Sequence, residues 1–482
     1  MLTYKINIQD IKNQIFIPKY YDPALRQELL SLKETHDLLV LGDLIDAGII
    51  GAQTGHEIGK MAYGTGSIPF VRTSDISNWE IKTIPKQGVS QEIYDFYAYK
   101  EDVQPGDILM VKDGTYLIGT NCIVTPLDIP MIYQSHILKF RVVSSELLDP
   151  LILFLALNCP LVQRQIRNMQ FTADIIDTLG SRYREIILPI PSEKMKQALD
   201  TRIRYKAAIK QMPLLIESVL ESGTTQAFDT FFSKPIDEVL NELVQDTTTL
   251  EFGFFSAFRL NSSAITNGIY LPKYYDPAVE NILRKLDGTC TRYSIQSLLN
   301  DKVIELATGD EIGKMAYGTG SIPFVRTSDF SNWEIKADAK QGVSEEIYEQ
   351  YALKEDVRPG DILIVRDGTY LVGTSCLITE YDQKMLYCGG LIKIRVLKKD
   401  ILDEYLLLGL LNSYIVKRQI RTKQFTRDVI DTLGQRLREV TLPLPHSVEL
   451  RHSISVQIRH IIENRIEARD CVSNLSRQLI EL

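Results

Sequence analysis

The chain has 482 residues, 44% of them hydrophobic, and a formal net charge of −8. That length exceeds one typical domain and leaves room for about two to four, each able to bury a core. The acidic balance excludes a generic polyanion binder, so nucleic-acid contact has to come from local basic patches.

The N-terminus, MLTYKINIQD, is polar and shows no apolar secretion signal. An early helical stretch follows, punctuated by Pro23 and by Gly42 or Gly51. The short apolar runs SIPFVRTSD, DILMV, CIVT and ILKFRVV are bounded by Gly, Pro, Asp and Asn and predict strands. Residues 146–168 predict a helix. It contains LILFLALNCPLV from Leu151, far short of the ~20 residues that span a bilayer and therefore read as buried. A short strand then runs into Pro189 and Pro191. This order predicts an α+β domain in a soluble, cytoplasmic protein. The cysteines, Cys122, Cys159, Cys290, Cys376, Cys388 and Cys471, form no CxxC pair. That argues against zinc and against a disulfide framework, and fits small buried residues of a reducing compartment.

After Pro191 apolar residues recur at helical spacing: Ala198, Tyr205, Ile209, Met212, Ile216 and Val219, with Pro213 inside the row and expected to kink it. Residues 235–258 carry five acids and no Lys or Arg, which marks 223–254 as a partly helical connector.

From there the chain repeats itself. YYDP at Tyr20–Pro23 returns at Tyr274–Pro277, GDIL at Gly106 returns at Gly360, and DTLG at Asp177 returns at Asp431, every pair offset by 254. A period this long is a duplicated domain. Residues 56–82 and 310–336 agree at 25 of 27 positions, whereas 24–55 and 278–309 agree at 8 of 32, so the fixed segment has a shared task in folding or binding. The second copy predicts a helix at 400–422 and ends at Pro443 and Pro445. A second apolar row follows, Ile454, Ile458, Ile461, Ala468, Val472, Leu475 and Leu479, broken by Arg465. Steps of four and three suit a helix–helix seam. The two helices pack either on their own domains or on each other, and the second arrangement is favoured.

Several catalytic signals fail. GHEIGK is one residue short of a phosphate loop, and Met61 stands where magnesium needs Ser or Thr. WEIK holds half of a nuclease metal site, but Asp75 is too close to supply the separate carboxylate. No Asn/Asp-Pro-Pro-aromatic tetrapeptide is present to hold a flipped adenine. His56 faces Asp310 in the other copy and His136 faces Gly390, so neither belongs to a shared acid–base mechanism.

Three shared segments suit DNA. The first is IPFVRTSDISNW with its twin IPFVRTSDFSNW. Preceded by Lys60 or Lys314, it offers Arg72, Thr73, Ser74 and Asn78, and Arg326, Thr327, Ser328 and Asn332. Arg can pair bidentately with guanine, Asn with adenine, and the hydroxyls can hold phosphates. Asp75 and Asn78 could equally cap a turn, and Trp79 is favoured as a core residue. The second is a Lys/Arg-Asp-Gly-Thr turn between strands, with Lys112 and Thr115 matching Arg366 and Thr369; an ordinary hairpin explains it as well. The third is RQIRNMQFT and RQIRTKQFT, with Arg167, Arg421 and Lys423, which is either a backbone grip or a solvated helix face.

Together RLNSS…YLPKYYDP, GSIPFVRTSD, RPGDILIVRDGTYLVG and the LPLP stop resemble the specificity subunit of type I restriction–modification systems over nearly the whole chain. The resemblance implies two tandem target-recognition domains, 1–191 and 255–445, followed by spacer helices 192–222 and 446–482. The helices would pair as an antiparallel coiled-coil-like spacer with pseudo-twofold symmetry. It implies a non-catalytic chain with no cofactor or metal of its own, bound to double-stranded DNA at a bipartite site. Two DNA adenine methyltransferase subunits, and in the restriction form a motor-nuclease subunit, would bring S-adenosylmethionine, ATP and Mg²⁺. Two similar readers in inverted orientation imply an interrupted, near-palindromic target, with the diverged stretches 24–55 and 278–309 not reading bases. Three alternatives stand beside this: a recognition subunit of another phage-defence or modification complex, a freestanding nuclease, and a scaffold with no DNA role.

Overall fold

The computed structural model describes residues 5–481 except 13, 115, 174–175, 192–196, 227–233, 235–237, 239, 242–257, 267, 338, 369, 383 and 428–429. Most of the expected acidic connector, together with Thr115 and Thr369, lies outside the described residues. The chain divides into two compact units, Met1–Ile203 with Arg465–Leu482, and Arg204–Asn464.

In the first unit the predicted apolar runs are strands, as their β-branched, alternating character requires. Ile50–Thr54, Ile137–Val142, Ile108–Val111 and Asn121–Ile123 form an antiparallel sheet in that order. Ile68–Val71 pairs antiparallel with Gln87–Val89 and parallel with Ile132–Tyr133. The predicted helix over 146–168 is two helices, Pro150–Asn158 and Pro160–Met169. Pro160 lacks an amide hydrogen to continue the first helix but suits the first turn of the second. Leu151 to Leu157 are all buried, which accounts for the apolar run without a membrane. Among the described residues no helix is long and apolar enough to cross one.

The second unit repeats this order. Ile304–Thr308, Leu391–Val396, Ile362–Val365 and Ser375–Leu377 form its antiparallel sheet. Ile322–Val325 again has one antiparallel and one parallel neighbour. Glu404–Asn412 and Tyr414–Lys423 are its paired helices.

The invariant SNW segment is a tight hairpin in both copies. Ile76–Ser77 pairs with Glu80–Ile81, and Phe330–Ser331 with Glu334–Ile335. The two connecting residues have positive φ: 49° and 62° at Asn78 and Trp79, 46° and 69° at Asn332 and Trp333. A two-residue turn matching strand twist demands this, and Asn is well suited to its first position. Trp adopts it at a cost that its burial offsets. Trp333 is 8% exposed, and Trp79 donates from Nε1 to Asn158 Oδ1 at 2.9 Å.

Two long helices follow the proline pairs, Gln197–Ser222 and Val448–Gln478. The first runs through Pro213 without interruption of the helix. Apart from Leu475, which is half-buried, the described side chains of the predicted rows are buried. Met212, Ile216 and Val219, and Ile454, Ile458, Val472 and Leu479, are each fully shielded. The side chain of Ala198 lies outside the described residues. In the second unit Ile216 and Ile458 converge on Gly409, where an added Cβ would stand 3.0 and 2.3 Å from their Cδ1 atoms. Ser453 Oγ also donates to Thr225 Oγ1 at 3.1 Å. The six cysteines are free thiols, five of them buried.

Candidate nucleic-acid interface

Strand Ile68–Val71 delivers Arg72 to the mouth of a loop closed by Asp75. The Asp75 carboxylate accepts the Arg72 amide at 3.1 Å, and Asp329 does the same for Arg326 at 2.8 Å. Lys60 and Lys314 are exposed on a short 3₁₀ turn. That turn continues into Tyr63 and Tyr317, whose rings lie under the guanidinium groups of Arg72 and Arg326 at 5.9 and 5.8 Å. Neither arginine has an ion-pair partner among the described residues, and Arg72 Nε is buried without an acceptor. A charged donor held by backbone geometry and without a direct salt bridge is poised for an external acceptor.

The second segment arrives beside the first. Gln134 donates its amide to Val71 O, and Lys112 donates its own to His136 O at 3.0 Å. In the second unit an added Cβ at Gly390, the counterpart of His136, would meet Thr327 Cγ2 at 2.9 Å and Asp367 Cβ at 3.9 Å. The Arg326 loop and the Arg366 turn therefore flank one position. The predicted simple hairpin is more branched than expected. Ile108–Val111 does pair with Asn121–Ile123, but Asp113–Gly114 leaves it to pair with Ile176–Thr178. Gly114 and Gly368 have φ of 142° and 152°, which only glycine adopts readily. Lys112 is neutralised by Asp113 at 2.6 Å, and Arg366 by Asp367 at 2.6 Å.

The third segment joins the same surface through these turns. Thr178 donates to Asp113 Oδ1 and Thr432 to Asp367 Oδ1, each at 2.5 Å. Arg421 donates to Tyr370 O at 3.2 Å. Arg167 and Arg421 are exposed, whereas Arg164 is spent on Asp22 and Glu28 and Arg418 on Asp276. Lys423 pairs with Glu439 at 3.1 Å and covers the Tyr274 ring.

The predicted residues thus separate by position. Lys60, Arg72, Thr73 and Ser74, with Lys314, Arg326, Thr327 and Ser328, retain solvent access around one loop in each unit. Asn78 differs: it is 5% exposed, and its carbonyl accepts from Arg202. Its place is accounted for by the turn, and Asn332, half-buried, holds the same conformation. His36, buried and hydrogen-bonded to Leu479 O at 2.5 Å, was not singled out by any motif.

Glu80 of the WEIK segment, half of a nuclease metal site by sequence, is enclosed by cations. Arg465 reaches its Oε1 at 2.5 Å and Arg202 its Oε2 at 3.4 Å. No group of three or more His, Cys, Asp or Glu among the described residues could hold a metal ion.

The sequence matches no family model and no curated protein. Among solved structures the chain is similar to the S subunit of a type I restriction-modification system from M. genitalium, at 12% identity and a TM-score of 0.29, covering 90% of this chain and 93% of that one. It is similar to the HsdS subunit from Thermoanaerobacter tengcongensis at 16% identity and a TM-score of 0.28, covering 92% and 95%. A structure describing complex assembly and conformational transition of the type I R-M system overlaps at 14% identity and a TM-score of 0.26, covering 93% and 97%.

Proposed function

We propose that the chain is the DNA sequence-specificity subunit of a type I restriction–modification complex. The observation that carries this is the duplicated surface: three shared segments converge in each unit around an arginine without an ion-pair partner among the described residues. Arg72 and Arg326 are the candidates for base contact, and Lys60, Lys314, Arg167 and Arg421 for the phosphate backbone. Residues 1–191 and 255–445 serve as the two readers, with 192–222 and 446–482 as an antiparallel spacer between them. The buried rows on both long helices and their shared glycine support that arrangement. The chain itself catalyses nothing; two methyltransferase subunits and a motor-nuclease subunit act at the site it selects, in the cytoplasm.

The similarity of the readers, near-identical over 56–82 and 310–336, leads to a target of two similar, inverted half-sites separated by a fixed gap. Co-expression with adenine methyltransferase subunits, followed by sequencing of methylated DNA, tests this. An interrupted near-palindrome is the expected outcome. Two unrelated half-sites would overturn the symmetry, and absence of sequence-specific methylation would overturn the function.

A further inference from the structure

Among the charge differences between the two copies, one group lines a cavity of the second unit. Helix Tyr414–Lys423 of the second unit faces the turn Pro272–Tyr275 across a cavity of about 560 Å³. Pockets of roughly 300–1,000 Å³ take small ligands. Four cations line this one, Lys273, Lys417, Arg418 and Arg421, against a single carboxylate, Asp276. That carboxylate is spent on Arg418 at 2.6 Å. Among the described residues Arg421 donates to neutral oxygens, Gln424 Oε1 at 3.1 Å and Tyr370 O at 3.2 Å. The Lys417 ammonium has three protons to donate and, among the described residues, one acceptor, Gly373 O at 2.7 Å. Burial, followed by the charge of Arg421, pulls its pKa down to about 7. Its side chain nonetheless keeps some access to solvent through the cavity.

The first copy lacks this arrangement. The counterpart of Lys417 is Gln163, whose amide satisfies Gly119 O and Leu157 O at 3.2 and 2.7 Å. Arg164 is held there by two carboxylates, Asp22 and Glu28, whereas the second copy has Ile282 in place of Glu28. Pro160 is replaced by Tyr414, an aromatic ring on the cavity wall, and Phe258 supplies another. One acid is therefore lost, one cation gained and one ring added around a cavity. Lys273 and Arg421 also lie in the field of Asp431, but four cations against two carboxylates still favour an anion. Rings beside them favour a flat, stackable group.

We propose that this cavity binds one free nucleoside phosphate per chain, with its phosphates on Lys417, Arg421 and Lys273 and its base against Phe258 and Tyr414. The inference goes beyond the DNA-specificity reading and shares only Arg421 with it.

Titration calorimetry of the full chain with ATP, GTP and inorganic triphosphate tests the site, with duplex DNA measured in parallel. One nucleotide per chain is expected. Lys417→Gln, which installs the residue of the first copy, is expected to weaken nucleotide and triphosphate about tenfold or more while leaving thermal stability and duplex affinity unchanged. Phe258→Ala is expected to weaken ATP but not triphosphate. No binding by wild type up to about 1 mM nucleotide would overturn the proposal. So would equal affinity of Lys417→Gln and wild type. Loss of duplex affinity in Lys417→Gln, with displacement of nucleotide by duplex, would assign the cavity to DNA phosphates and overturn it as well. Failure of the DNA reading itself would appear in the duplex arm alone.

Discussion

Arg465 donates to Glu80 at 2.5 Å across 385 residues of chain, and both side chains are almost wholly buried. Arg202 approaches the other carboxylate oxygen at 3.4 Å and lies 5.8 Å from the Trp79 ring. One carboxylate from the invariant hairpin therefore receives an arginine from each of the long helices. Removing one member of a buried ion cluster leaves the others charged without it, at a cost of roughly 3–5 kcal/mol. Glu80→Ala is expected to lower stability by about that amount. Combining Glu80→Leu with Arg202→Met and Arg465→Met is expected to recover most of it, because an apolar cluster of similar volume avoids the desolvation penalty. Urea midpoints of the two proteins compare these directly. A single substitution within about 0.5 kcal/mol of wild type would show the cluster to be energetically idle.

This relationship was half legible in the sequence. The apolar row of the last helix was visible, and so was its break at Arg465, but the reason for the break lies 385 residues away in a hairpin. The same limit applies at Asn78 and Trp79. Their residue types fit base recognition and turn formation alike, and only the positive φ of both positions decides for the turn. The duplication and the strands were readable because repeats and apolar alternation are local signals. Two features were not: the parallel pairing of Ile68–Val71 with Ile132–Tyr133, and the branching of Asp113–Gly114 toward Ile176–Thr178. Both join segments about sixty residues apart, and no periodicity encodes such partners.

Arg72 and Arg326 differ from Lys112 and Arg366 in that, among the described residues, no carboxylate forms a salt bridge with their guanidinium groups. A guanidinium that pairs bidentately with a base is worth about 1–3 kcal/mol of discrimination, while an already neutralised cation adds little. Arg72→Ala with Arg326→Ala is expected to lower affinity for the cognate duplex by about tenfold or more per half-site and to leave non-specific binding nearly intact. Lys112→Ala with Arg366→Ala is expected to change cognate affinity by less than about threefold. Competition binding at fixed salt separates the two pairs. A uniform loss across all sequences in the first double variant would make these arginines phosphate contacts.

Glu355 is 2% exposed and accepts the amides of Tyr387 at 2.9 Å and Asp310 at 3.2 Å. Burial pushes its pKa up to about 7. Between about pH 4.5 and 7 the folded chain therefore holds a proton that the unfolded chain releases, and stability falls as pH rises through that window. The full effect is at most about 3 kcal/mol. Glu355→Gln keeps an acceptor and removes the titration, at a penalty that does not vary with pH. The difference in melting temperature between wild type and variant is expected to shift in favour of the variant from pH 5 to 7, and to level off above. Parallel curves across that range would place the titration elsewhere.

Gly409 sits inside helix Glu404–Asn412, where glycine costs about 1 kcal/mol relative to alanine. Its counterpart in the first copy is Leu155, fully buried. The second unit tolerates the cost because Ile458 and Ile216, one from each long helix, occupy the space a side chain would need. Gly409→Leu restores the residue of the first copy and gains helix propensity. It is nonetheless expected to destabilise by about 1–3 kcal/mol, because overpacking at a helix junction outweighs propensity. Adding Ile458→Ala, which removes the nearer obstruction, is expected to make the leucine less costly than it is in wild type. Urea midpoints for the four proteins of this cycle give the coupling. A stabilising Gly409→Leu, or costs that simply add, would mean that the two helices do not press on this glycine in solution.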